Sequence, residues 1–229
     1  KEFQEVWEVD STTGEEVFQA YKAIKSLPVY ELVNSAVENV LIYFPGSTGE
    51  DCFIISAQNA MRYTQDMGIV QLGDKRVEFA SLQDYLTENT FYDTFAVFNS
   101  PDDGITFLED STESPLPPQV LYISGLNSYT GSTKTPIILV QISQNFLKDA
   151  LSNVTLEGSG TSFIVNHTGE LVASFQGENS PPSDGDTLAR LLAVSENQKE
   201  NTFLFEGNQV TMVSSRYVDW TYYSVIPEK

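Results

Sequence analysis

Short apolar runs bracketed by turn residues constrain this sequence most, because they are too brief for buried helices and suit hairpins. Val40-Leu41-Ile42-Tyr43-Phe44 stops at Pro45-Gly46-Ser47-Thr48-Gly49, and Cys52-Phe53-Ile54-Ile55-Ser56 follows at once. Runs of this length, rich in β-branched and aromatic residues and bounded by Pro and Gly, read as two antiparallel strands joined by a turn. The pattern returns late in the chain. Phe163-Ile164-Val165, the turn residues Asn166-His167-Thr168-Gly169 and Leu171-Val172-Ala173 predict a second hairpin. Residues 203–205, 209–214 and 220–226 predict three more strands, and residues 119–126 and 136–142 two further ones. Residues 58–118 carry a looser pattern, and the Ser- and Pro-rich stretch 111–118 reads as a surface loop.

Four stretches carry helical spacing instead. Val17, Ala20, Tyr21, Ile24 and Leu27 share one face, with Glu15 and Glu16 early and Lys22 and Lys25 late, as the helix dipole favours. Residues 81–86 predict a short helix with Ser81 as N-cap and Asp84 in the capping-box position. Ser143 is expected to cap a helix carrying Phe146, Leu147, Ala150 and Leu151 on one side. Residues 186–195 align Leu188, Leu191 and Leu192. The element order of hairpin, crossover and antiparallel strands occurs twice, so the fold class expected is α+β, in two lobes that each hold one antiparallel sheet.

Composition narrows the function. Among 229 residues, 12 Lys and Arg stand against 32 Asp and Glu, a net charge of −20. Such a surface repels phosphate backbones, so no nucleic acid is expected to bind this domain. The 41% hydrophobic content supports a real core rather than disorder. The single cysteine, Cys52, lies in an apolar run and reads as a buried thiol; the single histidine, His167, reads as a turn residue. One Cys and one His do not assemble a zinc site of the usual ligands, and no nucleophile elbow or phosphate loop is present. Gly158-Ser159-Gly160 is a lone Gly-x-Gly. No catalytic residue, metal or cofactor is therefore expected, and the chain does not read as an enzyme. No apolar run reaches the roughly 18 residues of a membrane span. Starting on Lys1, the chain reads as a piece of something longer.

Four segments together resemble a known family. Residues 163–174, Phe-Ile-Val-Asn-His-Thr-Gly-Glu-Leu-Val-Ala-Ser, resemble the membrane-proximal hairpin of double Cache (dCache) sensor domains. Residues 137–142 with Phe146 and Leu147 are similar to the strand and helix entering that lobe. Trp220-Thr221-Tyr222-Tyr223-Ser224-Val225-Ile226-Pro227 resembles the strand that ends such domains, and residues 40–56 resemble the first distal hairpin.

The resemblance implies a long N-terminal helix (1–37), a membrane-distal PAS-like (Cache) lobe with a linking helix (38–150), and a membrane-proximal Cache lobe (151–229). It implies an extracytoplasmic, ligand-sensing domain at the bacterial cell membrane. Flanking spans outside this chain would anchor it, and it would serve an AraC-type transcriptional regulator or a sensor histidine kinase. The two chain ends are expected at one end of the molecule, beside the smaller lobe, and the resemblance leaves room for a homodimer.

The resemblance also implies a small-molecule ligand in the distal lobe, between its sheet and the loops after the first hairpin. Arg62 there could fork onto a ligand carboxylate. Tyr122 and Ser124 share one strand face, with an aromatic wall and a hydroxyl; Tyr63, Tyr85, Tyr92 and Asn127 complete the candidate lining. Two alternatives stay open: a secreted carbohydrate-binding module, for which Tyr92 and Tyr129 would be the free rings, and an acid-pair glycoside hydrolase.

Overall fold

The computed structural model describes residues 35–45, 51–56, 60–72, 75–89, 91, 93–99, 103–108, 118–125, 136–154, 160–177, 180 and 185–228. The expected N-terminal helix lies outside the described residues except at its last three positions. The described elements are predominantly antiparallel strands with three α-helices, an α+β architecture.

The chain divides into two compact units: Lys1–Leu116 with Val120–Ser143, and Pro117–Gln119 with Gln144–Lys229. The first holds β1 (Val37–Pro45), β2 (Asp51–Ser56), β3 (Ala60–Thr64), β4 (Ile69–Leu72), β5 (Lys75–Glu78), α1 (Phe79–Glu88), β6 (Thr94–Phe98), β7 (Phe107–Leu108), β8 (Gln119–Gly125) and β9 (Ile137–Ile142). Six of these strands form one sheet in the order β3-β2-β1-β9-β8-β6, and β4-β5-β7 form a small second sheet. The predicted first hairpin is β1–β2, with Ile42 opposite Ile55 and Phe44 opposite Phe53.

Alternation decides what each face of the large sheet carries. Leu41, Tyr43, Ile54, Tyr63, Leu121, Ile123 and Leu139 enter one cluster with Phe79, Leu82 and Leu86 of α1 and with Val70, Leu72 and Val77 of the small sheet. Their neighbours Ile42, Phe44, Ile55, Val97 and Val120 point the other way and are buried too. Central strands buried on both faces read as continuous apolar runs rather than as alternation. That is the pattern seen in Val40–Phe44.

The stretch 60–78 holds strands that the sequence reading left unassigned. Ile69-Val70-Gln71-Leu72 does alternate, with only Val70 and Leu72 buried. Two inward residues are too few to stand out from a loop. The predicted N-cap at Ser81 is corrected. The helix begins at Phe79 with Glu78 in the cap position, so that Phe79, Leu82 and Leu86 all reach the core. The Glu78 side chain makes no capping hydrogen bond. The early amides are met by backbone instead: Glu78 N–H donates to Thr106 O at 2.9 Å and Phe79 N–H to Gly68 O at 3.0 Å. The Ser81 hydroxyl donates to Glu78 O and accepts the Thr106 amide, tying the helix to the following loop.

The second unit holds α2 (Gln144–Val154), β10 (Thr161–Asn166), β11 (Leu171–Gln176), α3 (Gly185–Ser195), β12 (Thr202–Phe205), β13 (Asn208–Ser214) and β14 (Trp220–Pro227). The expected boundary at residue 150 runs through α2. The compact units part between Ser143 and Gln144 instead, and α2 packs on β11, where Gln144 Nε2 donates to Val172 O at 3.0 Å. The sheet order is β11-β10-β14-β13-β12. Phe163, Val165, Val210, Tyr223 and Val225 pack with Leu188, Leu191 and Leu192 of α3. Phe163 and Tyr223 stack at 5.0 Å with their planes 12° apart. His167 is exposed in the β10–β11 turn. There Asn166 Oδ1 accepts the amides of Thr168 and Glu170, and Gly169 takes φ +84°.

Gly104 tests the packing of the first core. Its φ is +109°, and a Cβ there would lie 2.5 Å from Cδ2 of Tyr85. The Tyr85 ring is already fixed against Phe91 at 5.6 Å and Phe98 at 5.3 Å. Gly104→Ala is expected to cost about 1–3 kcal/mol, from overpacking and left-handed strain together. Urea unfolding monitored by fluorescence would show it, and an unchanged midpoint would contradict this packing.

Candidate functional site

The site is built where β8 meets the start of β6. Leu121 and Ile123 of β8 belong to the sealed core, so alternation turns Tyr122 and Ser124 onto the opposite face. β6 lies beside β8 at the edge of the sheet. Asp93 immediately precedes β6 and adopts φ +50°, a left-handed conformation that Asp tolerates better than most residues. The turn delivers its carboxylate to β8. The Tyr122 hydroxyl donates to Asp93 Oδ1 at 2.7 Å, and the Ser124 hydroxyl donates to the same oxygen at 2.7 Å. Phe95, two residues on and thus on the same face of β6, packs its ring 5.2 Å from that of Tyr122 at 56°.

These bonds set the electrostatics. The Tyr122 hydroxyl, and after it that of Ser124, hold the Asp93 carboxyl below the usual carboxylate range. Reciprocally, the bond to Asp93, followed by burial, pushes the Tyr122 phenol above its ordinary value. Both hydroxyl hydrogens are committed to Oδ1. Among the described residues, the side chains of Asp93, Tyr122 and Ser124 therefore offer acceptors: Oδ2 of an ionised carboxylate and the hydroxyl lone pairs, beside the Phe95 and Tyr122 rings. Such a surface suits an ammonium or guanidinium group, which brings donors and positive charge, and disfavours an anion.

Of the residues expected in the site, Tyr122 and Ser124 come together, joined by Asp93. Tyr63 is buried in the core on the other side of the sheet. Desolvation pushes its phenol up, with a backbone hydrogen bond from Gln71 acting in the opposite sense and Cys52 raising it further. Tyr85 packs against that same core, between Phe91 and Phe98. Arg62 stands opposite Phe53 in the β2–β3 pairing, and its side chain lies outside the described residues. Tyr92 and Asn127 also lie outside them, as does Tyr129. Among the described residues, no three His, Cys, Asp or Glu side chains gather as a metal would need. Sequence reasoning missed Asp93; its one signal is an Asp, a residue that accepts left-handed turns, placed directly before an apolar strand.

No protein-family model and no curated protein sequence matches the chain. Solved structures do share its fold. The extracellular domain of a protein assigned as a histidine kinase, rpHK1S-Z16, superposes with a TM-score of 0.53 at 8% identity, covering 93% of this chain and 82% of its own. A domain of a sensory box/GGDEF family protein from Vibrio parahaemolyticus gives 0.51 at 9% identity, covering 99% and 82%. A methyl-accepting chemotaxis protein gives 0.51 at 16% identity, covering 91% and 81%. At these identities the likeness is one of fold alone. Among the described residues, no helix is long and apolar enough to cross a membrane.

The cluster makes a titration prediction. A depressed Asp93 pKa means that its carboxylate supports the folded state above the unfolded pKa, and that this support fades as pH falls through the folded value. NMR titration of the Asp93 carboxyl should show a midpoint below the ordinary range. In Asp93→Asn, the Tyr122 phenol should titrate at lower pH than in wild type. An unmoved Tyr122 midpoint would contradict the shared bond.

Proposed function

We propose that this chain is an extracytoplasmic ligand-sensing domain of a transmembrane signalling protein, and that it binds a small organic cation on the first unit. The observation that carries the ligand class is the cluster of acceptors on Asp93, Tyr122 and Ser124 beside Phe95. The shared fold with sensor domains of kinase and chemotaxis proteins supports the sensing role. In this reading the first unit is the membrane-distal lobe and the second the membrane-proximal one. The output is an AraC-type regulator or a histidine kinase, and membrane spans flank the chain outside the sequence given. A net charge of −20 adds long-range attraction for cations and repels anionic ligands.

Thermal-shift titration with butylamine, agmatine, choline and butyrate tests the reading. Butylamine and agmatine, which carry N–H donors, should raise the melting temperature of wild type in a saturable way. Choline, a cation without N–H donors, should act more weakly, and butyrate not at all. Asp93→Asn should abolish the amine shift while leaving the fold intact. Protection by butyrate, or equal amine protection of wild type and Asp93→Asn, would overturn the assignment.

A further inference from the structure

The sheet of the second unit ends in two edges that are finished differently. β11 forms one of them. Its pairing with β10 is irregular between Ile164 and Val165, α2 packs on it, and its Val172 carbonyl accepts the Gln144 side-chain amide. Bulges and packed helices are common ways of closing a sheet edge to further pairing. β12 forms the other edge and pairs, among the described residues, with β13 alone. Its sequence, Thr202-Phe203-Leu204-Phe205, holds no charge and no proline, and its register on β13 runs without a shift. Leu204 is 64% exposed. None of the devices that close the β11 edge is present here.

Hairpin geometry fixes which backbone groups this edge presents. Glu206 and Gly207, at φ +51° and +75°, form a two-residue turn between β12 and β13. Phe205 and Asn208 close such a hairpin as a hydrogen-bonded pair, and Phe203 with Val210 is the next one. The Met212 amide, donating to Asn201 O at 2.8 Å, continues the same alternation. The N–H and C=O groups of Thr202 and Leu204 therefore point away from β13, toward the open side. Antiparallel pairing of this edge with itself, about a two-fold axis at Phe203, sets Thr202 opposite Leu204 of the second copy and the reverse. Each of those two pairs exchanges both of its bonds, so the outward groups of both copies are satisfied at once. No charged side chain lies within the strand, and Glu206 beyond it is held by Arg190.

We propose that β12 is a self-pairing edge, through which two copies of this chain join their second-unit sheets, five strands from each, into one continuous sheet. The contact is isologous, so the same short strand supplies both halves of the seam. A two-fold axis across the sheet keeps like faces together. Phe203, which packs on the core of its own unit, meets Phe203 of the second copy on the α3 face. Leu204 covers Thr202 of the second copy on the opposite face. A four-residue seam falls below the roughly 1,200 Å² of standard interfaces, so the dimer is weak and depends on concentration. It is independent of the ligand assigned to the first unit.

Sedimentation and amide hydrogen exchange on the 229-residue chain test it without any ligand. Raising the concentration from about 10 μM to about 1 mM should raise the average mass and slow exchange at Thr202 and Leu204 roughly threefold or more. The amides of Phe203 and Phe205, already bonded to β13, should change less. Leu204→Lys, at a position that is largely exposed, should abolish the mass increase and hold both edge amides at their dilute rates. The wild-type exchange pattern decides the question even if that variant fails to fold. Exchange at Thr202 and Leu204 that is independent of concentration would overturn the proposal, as would a mass increase that persists in Leu204→Lys.

Discussion

The alternation of β8 across the large sheet is the constraint on which the rest of the first unit depends. Leu121 and Ile123 are held in the core by Leu139 of β9 and by the α1 side of the cluster. Their burial fixes the register, because slipping β8 by one residue would drive Tyr122 and Ser124 into the α1-side core and take Leu121 and Ile123 out of it. Each aliphatic buried in this way contributes about 1.5–3 kcal/mol, far more than the surface hydrogen bonds it positions. The polar face is therefore a by-product of apolar packing, and its geometry is as rigid as the core behind it.

That division separates two chemistries in one small unit. On the α1 side, aromatic and aliphatic groups fill the space between the sheets, and the Tyr85 ring leaves no room for even one methyl group at Gly104. At the β6 edge of the other face, one carboxylate gathers two hydroxyls and stays ionised. A chain with so many acids needs no further negative charge for solubility. What distinguishes Asp93 is that its orientation is fixed by two donors and by a backbone conformation uncommon outside glycine.

Much of the fold was legible in the sequence because its central strands are buried on both faces and announce themselves as apolar runs. The strands around residues 60–78 and 107–108 were not, since they place only one or two residues inward and owe their pairing to neighbours distant in sequence. The cap at Ser81 failed for a related reason: core positions at Phe79, Leu82 and Leu86 pulled the helix start forward, and backbone carbonyls took the role of the capping hydroxyl. Within the site, period-two alternation gave the shared face of Tyr122 and Ser124 correctly. It could not say that Tyr63 and Tyr85 serve the core, because an aromatic suited to a pocket wall is equally suited to packing. Asp93 depends on a left-handed turn and on a strand 29 residues away, neither of which local pattern records.

The central claim is that ligand chemistry belongs to the Asp93 face of the sheet and not to the sealed α1 face. Chemical-shift mapping of the labelled chain during titration with agmatine tests this most directly. The account predicts saturable shifts at Asp93, Phe95, Tyr122 and Ser124, with Tyr63, Tyr85 and Phe91 unmoved. Shifts centred on Tyr63, Tyr85 and Phe91, with Asp93 and Ser124 silent, would contradict it.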